Sequence, residues 1–125
     1  MRTLRPVALV VVVACGVQWP ARNDPADAKT FHCTLSDTKP ERNTCTVDAA
    51  SCSATVEDAK EVGAFMSPCH ESRIAWCAVS KIPDLRERTF VCGPTREACG
   101  FRREEAIDNK NFTGTGECVE RTAGQ

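Results

Sequence analysis

The chain has 125 residues with 16 basic and 17 acidic side chains, nine cysteines and no tyrosine. Arg86, Arg88, Arg96, Arg102 and Arg103 are interleaved with Asp84, Glu87, Glu97, Glu104 and Glu105. That is a solvated, locally neutral surface, not the basic face a nucleic-acid binder exchanges for counterions. A chain this short buries a small core, and exported domains of that size are commonly stabilised by disulfides.

Residues 1–14 read as an export signal, with Arg2 and Arg5 as the basic start and Val7 to Ala14 as the apolar run. At ~1.5 Å per residue the run is too short for the ~30 Å hydrocarbon core of a bilayer. Its removal leaves 14 basic and 17 acidic side chains, a balance of −3. The end of the run, Val12-Val13-Ala14-Cys15-Gly16, resembles the lipobox of bacterial lipoproteins: an aliphatic residue, a tolerant position, a small residue, then the cysteine. The resemblance implies cleavage before Cys15, diacylglycerol on its thiol and a further acyl chain on its new amine. It implies a protein anchored by lipid to the bacterial cell envelope, and Gly16 after the cysteine favours the outer membrane. An ordinary secretory signal cut nearby is the alternative, and it makes the protein secreted. Either route exports the chain and takes Cys15 out of the disulfide count. Residues 15–30 are expected to be the lipidated cysteine and a flexible tether, because they lack periodicity and contain Pro20 and Pro25. A coil of that length reaches roughly 20 Å.

The eight remaining cysteines fall into two sets of four: Cys33, Cys45, Cys52 and Cys69, then Cys77, Cys92, Cys99 and Cys118. A shift of 47 residues places Cys45 on Cys92, Cys52 on Cys99, Glu57 on Glu104, Ala59 on Ala106 and Phe65 on Phe112. Upstream, Cys33-Thr34-Leu35-Ser36 matches Cys77-Ala78-Val79-Ser80. We read a duplicated four-cysteine unit, with repeat 1 over 31–72 and repeat 2 with a C-terminal tail over 73–125.

Each unit opens with a short apolar segment bearing its first cysteine, Phe31 to Leu35 or Ile74 to Val79. A turn containing Pro40 or Pro83 follows, then a second short strand, Asn43 to Val47 or Thr89 to Cys92. Asp48 and Thr95 stand at helix N-cap positions. In the first helix Ala49, Cys52, Val56, Ala59, Gly63 and Met66 step by three and four along one face, although Gly63 is also placed to terminate it. In the second helix Arg103 takes the place of Val56, with its stem over the hairpin and its head toward a carboxylate. Gly100 weakens that helix by ~1 kcal/mol against Ala. The expected fold is α+β: a small disulfide-rich domain made of a duplicated strand-strand-helix unit, with an antiparallel sheet and both helices on one face.

Pairing within each unit leaves three possible patterns per unit. We favour Cys45–Cys52 with Cys92–Cys99, tying strand ends to helix starts, and Cys33–Cys69 with Cys77–Cys118, tying each unit's start to its close. Six or seven residues separate the nearest pairs, unlike the two to four of zinc sites or the Cys-x-x-Cys of redox sites. His32 and His70 adjoin Cys33 and Cys69, but the second unit has Trp76 and Val119 there, so the framework does not need histidine. No metal and no cofactor is assigned. Nucleophile-elbow, phosphate-loop and paired-histidine motifs are absent from the sequence, so the chain is not read as an enzyme and no catalytic residue is named.

Trp76-Cys77, then Phe90-Val91-Cys92-x-x-Thr95-x-x-x-Cys99 with Arg103, resembles poorly characterised, duplicated cysteine-rich lipoproteins of Gram-negative bacteria over residues 31–118. The resemblance implies a disulfide scaffold without implying an activity. The function expected is that of a lipid-anchored envelope module that binds or serves as structure. Its partners would be the membrane and an unidentified envelope or extracellular protein or glycan, with no nucleic acid. A secreted cysteine-rich inhibitor or effector is the first alternative, and a thiol-redox or metal-binding protein the second.

Overall fold

The computed structural model describes residues 20–125, so Cys15 and the export signal expected over 1–14 lie outside the described residues. Each half of the chain follows the same order. Strands β2 (Phe31–Thr34) and β3 (Thr44–Thr46), helix α1 (Ala49–Glu61) and strand β4 (His70–Ser72) make the first half. Strands β5 (Ile74–Ile82) and β6 (Glu87–Gly93), helix α2 (Arg96–Asp108) and strand β7 (Val119–Thr122) make the second. A two-residue strand, β1 (Ala21–Arg22), precedes them.

Among the described residues these strands form one sheet in the order β4-β2-β3-β6-β5-β7, which places equivalent strands at equal distances from the β3–β6 seam. All neighbours on this path are antiparallel, and β1 adds to β6 in parallel. Arg73 alone separates β4, at one edge, from β5, which is one strand in from the other edge. A flat sheet would hold those positions several 4.8 Å strand spacings apart, so the sheet curls on itself.

The α+β class, the antiparallel sheet and the two helices agree with the sequence reading, but each half carries a third strand that was not expected. His70-Glu71-Ser72 and Val119-Glu120-Arg121-Thr122 are short and largely polar, without the period-two apolar signal by which strands are recognised. They form because the edges of β2 and β5 offer unpaired backbone groups to complete.

Both helix starts are built as expected. The Asp48 carboxylate accepts from the Ser51 backbone N–H at 2.7 Å and from the Ser51 hydroxyl at 3.0 Å. These bonds, the backbone one first, hold its carboxyl below its usual value. Thr95 Oγ1 accepts from the Ala98 N–H at 3.1 Å. Gly63, at φ 77°, ends α1. There the Ala64 N–H donates to the Ala59 carbonyl and the Gly63 N–H to that of Lys60, a Schellman closure.

The tether expected over 15–30 is corrected from residue 20 onward, because this segment is part of the domain. Pro25 and Ala28 are buried. The Gly124 N–H donates to the Pro25 carbonyl at 2.9 Å, Arg22 pairs with Glu87 at 2.7 Å, and Asp24 with Arg88 at 3.7 Å. The buried residues of this segment, Pro25 and Ala28, belong to no common helix or strand, so no period marked the packing in the sequence. Asp24 caps a 3-10 turn that Pro25 begins, so here proline initiates structure.

One face of the sheet carries the core: Phe31, Cys33, Cys45, Ala75, Cys77, Phe90 and Cys92, sealed by Ala28 and Ala123 from the two ends of the domain. Phe90 lies beneath the guanidinium groups of Arg88 and Arg121, 5.7 and 5.8 Å from its ring centre, which cover the rim of that core. The helices take the opposite face, with α1 on β2 and β3 and α2 on β5 and β6. There Thr34, Ala78 and Ser80 are sealed, and Thr34 and Ser80 meet hydrogen-bond partners in Ser67 and Thr115.

Candidate functional site

The cysteines reveal how the two faces are used. Cys33 stands directly opposite Cys45, Cys45 opposite Cys92, and Cys92 opposite Cys77. Directly opposed residues project from the same face of a sheet, so these four sulfurs form one row across β2, β3, β6 and β5. The bonds within the row are Cys33–Cys45 and Cys77–Cys92, with Cα separations of 4.0 and 4.1 Å. The other two bonds are Cys52–Cys69 and Cys99–Cys118, with Cα separations of 6.2 and 6.0 Å, and they tie each helix's first turns to the segment before β4 or β7.

All eight are therefore paired within their own halves, but the favoured pattern is corrected at every bond. Cys45–Cys52 and Cys92–Cys99 do not form, because Cys45 and Cys92 point into the core while Cys52 and Cys99 lie on the helix side. Cys33–Cys69 does not form because His70, not Cys69, is opposite Cys33. Side chains alternate along a strand, so Cys69 faces the helices. The same parity excludes Cys77–Cys118, since Val119 is opposite Cys77. Sequence separations of 12, 17, 15 and 19 make each closed loop contribute about 3 kcal/mol by loop entropy.

The two histidines do not converge. His70 shares the face of Cys33, whereas His32, one residue before Cys33 on β2, takes the other. Among the described residues no group of three or more His, Cys, Asp or Glu side chains is placed to hold a metal ion. The Arg103 head also differs from expectation. Its Nε donates to the Gly116 carbonyl at 2.7 Å, bracing α2 against the segment leading to β7, and no carboxylate among the described residues pairs with it.

Sequence reasoning missed a groove of about 540 Å³ between α1, α2 and the loop joining β2 to β3. Thr55, Asp58, Ala59 and Val62 form its α1 wall, a spacing of three and four that puts them on one helical face. Met66 closes one end. The 3-10 turn Pro40–Arg42 and Lys39 make the opposite wall, and α2 contributes Arg102 and Glu105. The Arg102 guanidinium donates to the Glu41 carbonyl and pairs with Glu105 at 2.9 Å, fastening that turn to the helix. Three cations (Lys39, Arg42, Arg102) and three carboxylates (Glu41, Asp58, Glu105) thus line the groove together with Ala59, Val62 and Met66. Val62 is 67% exposed and its neighbour Phe65 79%, so the apolar surface continues beyond the groove. This arrangement offers polar and apolar contacts to a ligand. The individual charges were evident in the sequence; their convergence depends on Arg102 reaching a backbone carbonyl 61 residues away.

The sheet, its helices and the four bonds define a small disulfide-rich α+β protein of the kind stabilised for extracellular or envelope conditions. No helix among the described residues is long and apolar enough to cross a membrane. Comparison with protein-family models, with curated proteins and with solved structures finds no match for this chain.

Proposed function

We propose that the protein is a lipid-anchored binding module of the bacterial cell envelope, held at Cys15 and presenting the groove between α1, α2 and the Pro40–Arg42 turn to an envelope or extracellular partner. The cysteine count carries this reading. Four bonds consume eight cysteines within the folded domain. The ninth, Cys15, follows an aliphatic-x-small sequence at the end of the apolar run. The matching order of elements and bonds in the two halves supports descent from one duplicated unit, stabilised by its disulfides.

Expression in a Gram-negative host with a clickable fatty acid tests the anchor. The native chain is expected in the membrane fraction with diacylglycerol on Cys15. Cys15→Ser is expected to lose the label and retain four disulfides. Labelling of Cys15→Ser, or release of unmodified native protein into the medium, would refute the anchor and favour the secreted reading.

A further inference from the structure

The place where the chain joins the domain lies at one end of the sheet, and that end has the chemistry of a membrane contact. Ala21 and Arg22 run parallel to Arg88 and Thr89, and the Arg88 N–H donates to the Pro20 carbonyl at 3.0 Å. Traced backwards, the chain therefore leaves the domain beside Glu87, next to the tip of the β5–β6 hairpin. From Cys15 to Pro20 is five residue steps, at most about 18 Å of chain. The groove is at the other end. Thr44 Oγ1 donates to the Cys92 carbonyl, placing the Pro40–Arg42 turn beyond the far terminus of β6. The six residue steps from Glu87 to Gly93 span roughly 20 Å.

The hairpin tip, Pro83-Asp84-Leu85-Arg86, exposes one large apolar side chain beside a carboxylate and a guanidinium. Leu85, 57% exposed, borders a cleft of about 350 Å³ with Ile82, Asp84, Asn111 and Phe112. The loop after α2 is fixed there by reciprocal bonds between the backbone groups of Lys81 and Thr113, both 2.9 Å. Lys81, Arg86 and Lys110 are exposed around this cleft, three cations against the one exposed carboxylate of its lining, Asp84. Arg86 holds φ 51° as the left-handed cap of the hairpin turn. Nearby Glu87 and Asp24 are neutralised by Arg22 and Arg88. Apolar side chains flanked by cations suit the boundary between acyl chains and anionic headgroups.

Resting on the anchor at Cys15, we propose that the β5–β6 hairpin tip and the loop after α2 lie against an anionic lipid surface, with Leu85 and Phe112 at the headgroup boundary and the groove turned outward. The test is lysine acetylation of the lipidated full chain on phosphatidylethanolamine–phosphatidylglycerol vesicles, compared with Cys15→Ser free in solution. Lys81 and Lys110 should be labelled at least roughly threefold more slowly on vesicles, as buried amines are shielded there, while Lys39 and Lys60 keep their rates. Leu85→Asp should stay lipidated and vesicle-bound yet regain Lys81 labelling. Unchanged rates at Lys81 and Lys110, or protection of Lys39 and Lys60 instead, on protein carrying its lipid, would overturn the orientation and leave the anchor standing. A chain that carries no lipid and stays off the vesicles would overturn the anchor and this orientation with it.

Discussion

Gly93→Ala is expected to destabilise the domain by about 2 kcal/mol. Gly93 is the last residue of β6, and a Cβ built on it lies 2.8 Å from Ala98 Cβ, 2.8 Å from the Cys99 nitrogen and 3.0 Å from the Ala98 carbonyl carbon. Ordinary carbon contacts lie near 3.5–4.0 Å, so the first turn of α2 would have to retreat by roughly 0.7 Å or more. That turn is poorly able to move. Pro94 alone separates Gly93 from its Thr95 cap, and Cys99 is bonded to Cys118. Overpacking against backbone typically costs about 1–3 kcal/mol, and the restraint places this case near the middle. For a domain of this size the midpoint of thermal unfolding should fall by roughly 8–16 °C. Gly100, inside α2, is the internal control. Nothing lies within 4 Å of a Cβ there, so Gly100→Ala should gain about 1 kcal/mol from helix propensity alone. Thermal and urea unfolding followed by circular dichroism, with all disulfides intact, measures both. A Gly93→Ala protein as stable as the wild type would refute the close approach of α2 to β6.

Peptide mapping under non-reducing conditions should recover Cys33–Cys45, Cys52–Cys69, Cys77–Cys92 and Cys99–Cys118, with no thiol titrating among residues 20–125. The Cys52→Ala/Cys69→Ala protein should lose about 3 kcal/mol in urea unfolding. Recovery of a Cys45–Cys52 peptide would contradict the face assignment of both residues. Asp48→Ala should cost about 1 kcal/mol at neutral pH through loss of the α1 cap. The Asp48 carboxyl is held below its ordinary value of 3.8, so its contribution is complete above that pH and fades as pH falls through the lower folded-state value. Asp48→Asn keeps the cap and should flatten this part of the acid limb, measured as stability between pH 5 and pH 2; an unchanged limb would remove Asp48 from the pH dependence.

The local grammar of the fold was readable because it depends on neighbours in sequence. Asp48 and Thr95 cap, Gly63 terminates, and the first two strands of each half fall where short apolar segments and proline breaks put them. What was misread depends on direction. Cys45 and Cys52 are close along the chain, but β3 sends one sulfur into the core and α1 presents the other to the opposite face. Only the register of β2 against β4, which puts His70 opposite Cys33, excludes Cys69 as its partner. The strands at His70 and Val119 lacked any apolar signature because they exist to complete edges. The groove was unreadable for a related reason: its charges come from three elements whose approach is fixed by one arginine on a distant carbonyl.

Among the described residues no disulfide crosses the seam between β3 and β6, and Arg73 alone lies between the last strand of one half and the first of the other. Each half is thus a covalently self-contained knot of chain, and its contact with the other is that of two partners sharing a sheet. A protease cut at Arg73 would leave two fragments held by strand pairing, the common core and the polar contacts between the halves, such as Arg22 with Glu87 and Arg102 with the Glu41 carbonyl. The same partition offers a route to exchange: two molecules could trade halves across identical seams without breaking a sulfur–sulfur bond.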